Sequence, residues 1–203
     1  MMDSSQPSRL FANAMGVVGL VCVVGCSIPE PSPVGAPDGS ARPVLTVGSP
    51  APTLQVEDWL TDGIGRLPTE TGFERGRVYV VEFWSTTCGP CIQTIPHLAE
   101  LQKKYATYGV RVIGITTEPP ELVTRFFERE VRRSDGSTVR LGELAKAYNL
   151  GSDSDGSVDT DYMMASRQNA IPVAFLVGKQ GLIEWIGPPL ELEEPLAAAV
   201  EEP

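Results

Sequence analysis

Arg77-Val-Tyr-Val-Val-Glu-Phe-Trp84, followed by Ser85-Thr-Thr-Cys88-Gly-Pro-Cys91-Ile92, contains a change of period. Up to Trp84 the residues are mostly apolar, β-branched or aromatic with little alternation, which predicts a strand buried on both faces. After Pro90, the positions Ile92, Ile95, Leu98, Leu101 and Tyr105 recur at three- and four-residue steps. That spacing predicts a helix with one buried face, kinked at Pro96. Val110–Thr116 is a second apolar run. Strand, helix and strand within about forty residues make a βαβ crossover, which requires parallel pairing. Further on, Val173–Val177 and Leu182–Ile186 flank Gly178-Lys-Gln-Gly181 and predict a β-hairpin, with Leu190–Val200 as a closing amphipathic helix.

The stretch from Glu118 to Asn169 is less regular. Glu121–Arg133 predicts a helix with Leu122, Phe126 and Phe127 inward, and Ser134–Ser137 a turn. Thr138–Leu150 fits strand and helix equally. Asp153-Ser-Asp-Gly-Ser-Val-Asp-Thr-Asp161 is acidic, but a calcium loop of the EF-hand type needs Gly sixth and Glu twelfth. Here Gly156 is fourth and Met164 twelfth, so a solvated acidic loop capping the next helix is expected.

Composition narrows the chemistry. The 203 residues carry 16 Lys+Arg against 26 Asp+Glu, a net charge of −10 that repels phosphate backbones and anionic lipid and argues against nucleic-acid binding. One histidine is too few for most His-based metal centres, and four cysteines are too few for a disulfide scaffold. Residues 1–26 read as an export signal: Arg9, then an apolar stretch from Leu10 to Val24 broken only by Asn13. The stretch is shorter than the roughly 20 apolar residues of a spanning helix. Its end, Val23-Val24-Gly25-Cys26, resembles a bacterial lipobox, in which Cys26 is lipidated and becomes the first mature residue. A plain signal or an uncleaved anchor also places the rest of the chain outside the cytoplasm. Residues 27–46, rich in Pro, Ser and Gly, read as an extended linker, and the folded domain as 47–203.

The remaining chemistry lies at Cys88 and Cys91, where the strand ends and the helix begins. Cysteines three apart on a first helical turn can close a small disulfide ring, and unpaired N–H groups there stabilise a thiolate. Cys88 is the nucleophile in that geometry. Cys91, one turn in and flanked by Pro90 and Ile92, is expected to be more buried and to resolve a mixed disulfide. A zinc site lacks ligands: beyond this pair the mature chain would offer only His97 and a Cys26 expected to be lipidated. A purely structural disulfide over two intervening residues would constrain little of the unfolded chain. His97 is expected as a partly exposed surface residue.

Val81-Glu82-Phe83-Trp84, Cys88-Gly-Pro-Cys91 and Ile171-Pro172 before a strand together resemble the thioredoxin superfamily. Val47-Gly-Ser-Pro-Ala-Pro52, the Ser85-Thr-Thr87 lead-in and the long segment before the hairpin resemble its membrane-tethered TlpA/ResA-type thiol–disulfide oxidoreductases. The resemblance implies an α/β thioredoxin fold: a central mixed β-sheet flanked by helices, with an insertion between the βαβ unit and the C-terminal hairpin. It implies that Cys88 attacks and Cys91 resolves, with no cofactor beyond this redox-active disulfide. Pro172 matches the cis-proline facing the pair, which leaves the backbone of Ile171 free to pair with an extended substrate; Trp84, Gly89 and Pro90 complete the expected substrate surface. Glu82 matches a buried acid behind the second cysteine, with its pKa raised so that it can exchange a proton with Cys91.

Partners implied by the same resemblance are protein disulfides or dithiols, an upstream membrane electron donor, and the membrane itself through a lipid anchor on the periplasmic side. Gly-Pro between the cysteines resembles the reducing members, for instance those that keep haem-attachment cysteines of cytochrome c reduced. Thr87 stands where thioredoxin carries a second tryptophan, so the docking surface differs. Two alternatives stand beside this one. Val47–Pro52 also resembles peroxidatic relatives, but their Pro-x-x-x-Thr-x-x-Cys frame has Val81 and Ser85 here. The pair could instead bind Cu(I), whose softness suits thiolates.

Overall fold

A computed structural model describes residues 43–62, 72–132 and 136–202. The export segment with Cys26, most of the linker and part of the Ser134–Ser137 turn lie outside the described residues. The chain joins the fold at Leu45, which is buried and donates its N–H to the Ala165 carbonyl at 3.0 Å, two residues ahead of the expected start.

The elements in order are β1 (Asp58–Asp62), β2 (Tyr79–Phe83), α1 (Gly89–Tyr105), β3 (Arg111–Thr116), α2 (Pro120–Phe127), β4 (Glu130–Arg132), β5 (Thr138–Arg140), α3 (Leu141–Ala145), β6 (Asn149–Ser152), α4 (Ser157–Asp159), β7 (Val173–Val177), β8 (Ile183–Gly187) and α5 (Glu193–Glu201). A π-helical turn, Thr160–Met164, extends α4. Six strands form one mixed sheet in the order β1-β6-β3-β2-β7-β8. β2 runs parallel to β3, and β3 to β6; β1, β7 and β8 pair antiparallel to their neighbours. The central α/β crossover and the hairpin are therefore as the periodicity predicts. Gly181, at φ +73° and donating to the Gly178 carbonyl at 2.8 Å, closes the hairpin in a conformation most side chains resist.

All five residues of β2 are buried, and its two faces feed different layers. Val80 and Trp84 pack with Cys91, Leu98, Val112 and Leu150, whereas Tyr79, Val81 and Phe83 pack with Ile113, Tyr162 and Phe175. Because β2 lies in mid-sheet, its C-terminal end delivers Cys88 to the rim between the layers.

Three expectations are corrected, two in the inserted region and one at the closing helix. The helix expected over Glu121–Arg133 stops at Phe127, and Val123 and Phe126 turn inward while Leu122 remains exposed. Beyond Phe127 the helical period is lost: Glu130-Val131-Arg132 alternates at period two and pairs with β5 as a two-stranded ribbon. The ambiguous Thr138–Leu150 stretch holds strand, helix and the start of another strand in succession. The closing helix starts only at Glu193, after a 3₁₀ turn at Pro189–Glu191, because Pro195 is tolerated only in a first turn.

The acidic loop is not fully solvated. Asp153 is completely buried, and its carboxylate accepts N–H bonds from Val158 at 3.1 Å and Asp159 at 2.8 Å, with the Ser157 hydroxyl at 3.4 Å. It caps α4, as anticipated, but from inside the core. Asp153→Ala leaves these donors without their acceptor and is expected to cost about 2 kcal/mol, read as a lower urea midpoint at unchanged slope.

Candidate active site

Cys88 occupies the N-cap of α1 with extended backbone (φ −83°, ψ 102°), and Pro90 sits in the first turn, where its missing N–H costs nothing. Cys88 and Cys91 form a disulfide, S–S 2.05 Å, with Cα atoms 5.2 Å apart. The N–H of Cys91 points at Cys88 Sγ from 3.1 Å, so a backbone donor is in place for the negative charge of the reduced form. The two sulfurs differ in access. Cys91 is fully buried, whereas Cys88 is partly exposed and flanked by exposed Thr87, Gly89 and Pro90. An incoming disulfide can therefore reach only Cys88.

On the other side of that opening the Ile171–Pro172 peptide is cis, and the Ile171 carbonyl lies 3.7 Å from Cys88 Sγ. Ile171 is 36% exposed, and the preceding Asn169 and Ala170 are exposed too. Cys88, Pro90, Ile171 and Pro172 are thus brought together, although eighty residues of sequence separate them, and a substrate backbone can lie along Ile171 with its sulfur at Cys88. Trp84 does not join this surface. It is 4% exposed and stacks on Phe127, with Phe126 tilted against it, because its place in the strand alternation turns it to the inner layer. This corrects its expected substrate contact: Trp84 supports the site from beneath.

Glu82 lies on the same strand face as Trp84 and Val80, the face that packs against Cys91. It is 2% exposed, and one carboxylate oxygen, Oε1, has no hydrogen-bond partner among the described residues. Burial pushes its pKa up to about 8. Its register partner in β3 is Gly114, where an added Cβ would meet Leu150 Cδ2 at 2.7 Å and Trp84 Nε1 at 3.2 Å. Tyr148, also buried in this layer, has its phenol pushed well above the usual range, by burial first and by the Glu82 charge second. Nothing local in the sequence marked Tyr148 as a neighbour of Glu82; the β2-β3-β6 order brings them near. His97 is half-buried, with Nε2 buried and unpartnered among the described residues.

The lead-in to the cysteines holds a second feature the sequence did not announce. Thr86 is buried and donates both its N–H (2.6 Å) and its hydroxyl (2.8 Å) to the Glu118 carboxylate. Among the described residues no group of three or more His, Cys, Asp or Glu is gathered as a metal site.

The chain is similar to several known proteins. The protein FixW of Rhizobium leguminosarum is 31% identical over 157 residues, 77% of this chain and 67% of that one. The thiol-disulfide oxidoreductase ResA of Geobacillus kaustophilus is 27% identical over 146 residues, 71% of each chain. Among solved structures, a thiol-disulfide isomerase from Corynebacterium glutamicum superposes with a TM-score of 0.54 at 22% identity, covering 75% of this chain and 98% of that one. A thioredoxin-like protein in its oxidised form superposes at 0.56 and 18%, covering 77% and 97%. These two establish the thioredoxin fold. The family model of the AhpC/TSA family matches residues 47–186, which take in β1 through most of β8 and both cysteines, and the chain belongs to that family.

Proposed function

We propose that this chain is an extracytoplasmic thiol–disulfide oxidoreductase that reduces disulfides of other proteins. The observation that carries the reading is the asymmetry of the pair: a reachable sulfur on a helix N-cap, 3.7 Å from an exposed carbonyl, bonded to a sulfur no solvent reaches. In the dithiol form, Cys88 thiolate attacks a substrate disulfide, forms a mixed disulfide and releases one substrate thiolate. Cys91, its proton passed to Glu82, then attacks Cys88 Sγ, closes the ring and releases the second substrate sulfur. Two electrons pass to the substrate, and an upstream membrane donor returns them. The name borne by the ResA relatives, thiol-disulfide oxidoreductase, supports the same chemistry.

The apolar stretch ending at Cys26 supports a lipid anchor that holds the domain at the outer face of the membrane on its Pro-rich tether. Apocytochrome c, whose haem-attachment cysteines must stay reduced, is the substrate class we favour. The test is insulin-disulfide reduction together with a redox titration of the Cys88–Cys91 couple. The expected potential is nearer thioredoxin's, about −270 mV, than DsbA's, about −120 mV. A value near the latter reverses the direction of flow; no exchange at all removes the reading.

A further inference from the structure

Thr116 ends β3, and Pro119-Pro120 starts α2, with Pro119 extended at φ −65°, ψ 149°. Glu118 is held between a strand end and a residue pair whose rings allow little backbone movement. Its carboxylate collects three donors: the Thr86 N–H, the Thr86 hydroxyl and, at 3.3 Å, the Thr116 hydroxyl. Its own carbonyl accepts the Ser152 hydroxyl at 2.8 Å, and one step along, the Thr116 carbonyl accepts the Asp153 N–H at 2.8 Å. Asp153 in turn caps α4.

On the other side, Trp84 donates its N–H to Ile115 at 3.1 Å, and the turn Ser85–Cys88 is closed by Cys88 N–H to the Ser85 carbonyl at 3.2 Å. Thr86 lies inside that turn, so its buried N–H has no partner within it. A buried N–H needs an acceptor, and Glu118, 32 residues away, supplies it. The turn that aims Cys88 is therefore fixed by a charged acceptor anchored at the start of the inserted region.

We propose that Glu118 is a positioning residue for thiol–disulfide exchange, acting through Thr86 to hold Cys88 in line with the Ile171 carbonyl and the incoming disulfide. The proposal rests on the exchange activity argued above. Its charge has a second consequence: a carboxylate near the lead-in disfavours the Cys88 thiolate, and so favours the oxidised form of the pair.

The test compares Glu118→Gln, Thr86→Val and Thr86→Ser in the full chain. Glu118→Gln and Thr86→Val are each expected to slow insulin-disulfide reduction roughly tenfold, since small misplacements of a reacting group cost one to two orders of magnitude. Thr86→Ser, which keeps both donors, restores the rate to within about twofold of wild type. The equilibrium with glutathione separates this role from a general loosening: Glu118→Gln shifts it roughly two- to fivefold toward the dithiol, while Thr86→Val, which keeps the charge, shifts it less than about twofold. If Glu118→Gln does not fold, the two Thr86 variants decide the matter by rate alone. Rates for Thr86→Val and Glu118→Gln within twofold of an active wild type overturn the proposal, as does a Thr86→Ser as slow as Thr86→Val. An inactive wild type overturns the function itself and is told apart by that control.

Discussion

Cys88→Ser is expected to reduce insulin-disulfide turnover by at least about 10³-fold, to the level of buffer thiol alone, while Cys91→Ser accumulates covalent adducts. A hydroxyl cannot take a sulfur's place in a disulfide, and the only other thiol of the site, Cys91, is fully buried. In Cys91→Ser the exposed sulfur still attacks, but no thiol stands behind it to release the product, so the substrate remains attached. Non-reducing gels should show the adduct, and dithiothreitol should remove it. Expressed in the native cell, the same variant captures the physiological partners for identification. Undiminished turnover in Cys88→Ser ends the enzyme assignment, and so does alkylation mapping that finds Cys88 closed to reagent when reduced.

The central crossover and the hairpin were legible because each is written as a local pattern. Tyr79–Phe83 is apolar throughout, Ile95, Leu98, Leu101 and Tyr105 are spaced for one helix face, and Gly178 and Gly181 bound a turn. The cysteine pair was legible for the same reason: two reactive residues, three apart, at a boundary between periods. What escaped was set by distant partners. Glu118 resembles any polar residue between a strand and a double proline until the fold brings Thr86 to it. Asp153 reads as one of several acids in a solvated loop, yet it is the one that turns inward to bind the first N–H groups of α4. Trp84 reads as the end of a buried strand, and the substrate contact that the resemblance implied for it is lost because α2 folds over the ring. The β4–β5 ribbon was hidden because Phe126-Phe127 completes a helical face immediately before the period changes. In each case a short local signal pointed one way and a long-range contact decided the outcome.

Glu82→Gln is expected to make the protein more stable and slower. Burial holds the Glu82 pKa at about 8 in the folded state, against 4.5 for the free group. Between those values the folded chain keeps a proton that the unfolded chain has lost, so stability falls as pH rises. The penalty is absent below about 4.5, grows through the neutral range and is complete above about 8, reaching on the order of 3 kcal/mol at pH 7. A neutral amide of the same shape removes the titration. The difference in urea midpoint between pH 5 and pH 8 should shrink in Glu82→Gln, with the variant matching wild type at the acid end and exceeding it at the alkaline end. Exchange moves the other way. Without an acceptor for the Cys91 proton, release of the mixed disulfide should slow by about 10²-fold at pH 7, and the rise in wild-type rate as pH approaches 8 should disappear. An acid kept only for packing would gain the same stability on substitution but leave the rate and pH profile of exchange alone. Slower exchange with the pH dependence gone marks a carboxyl retained at a cost to the fold because Cys91 uses it, and a Glu82→Gln variant equally fast at pH 7 would refute that role.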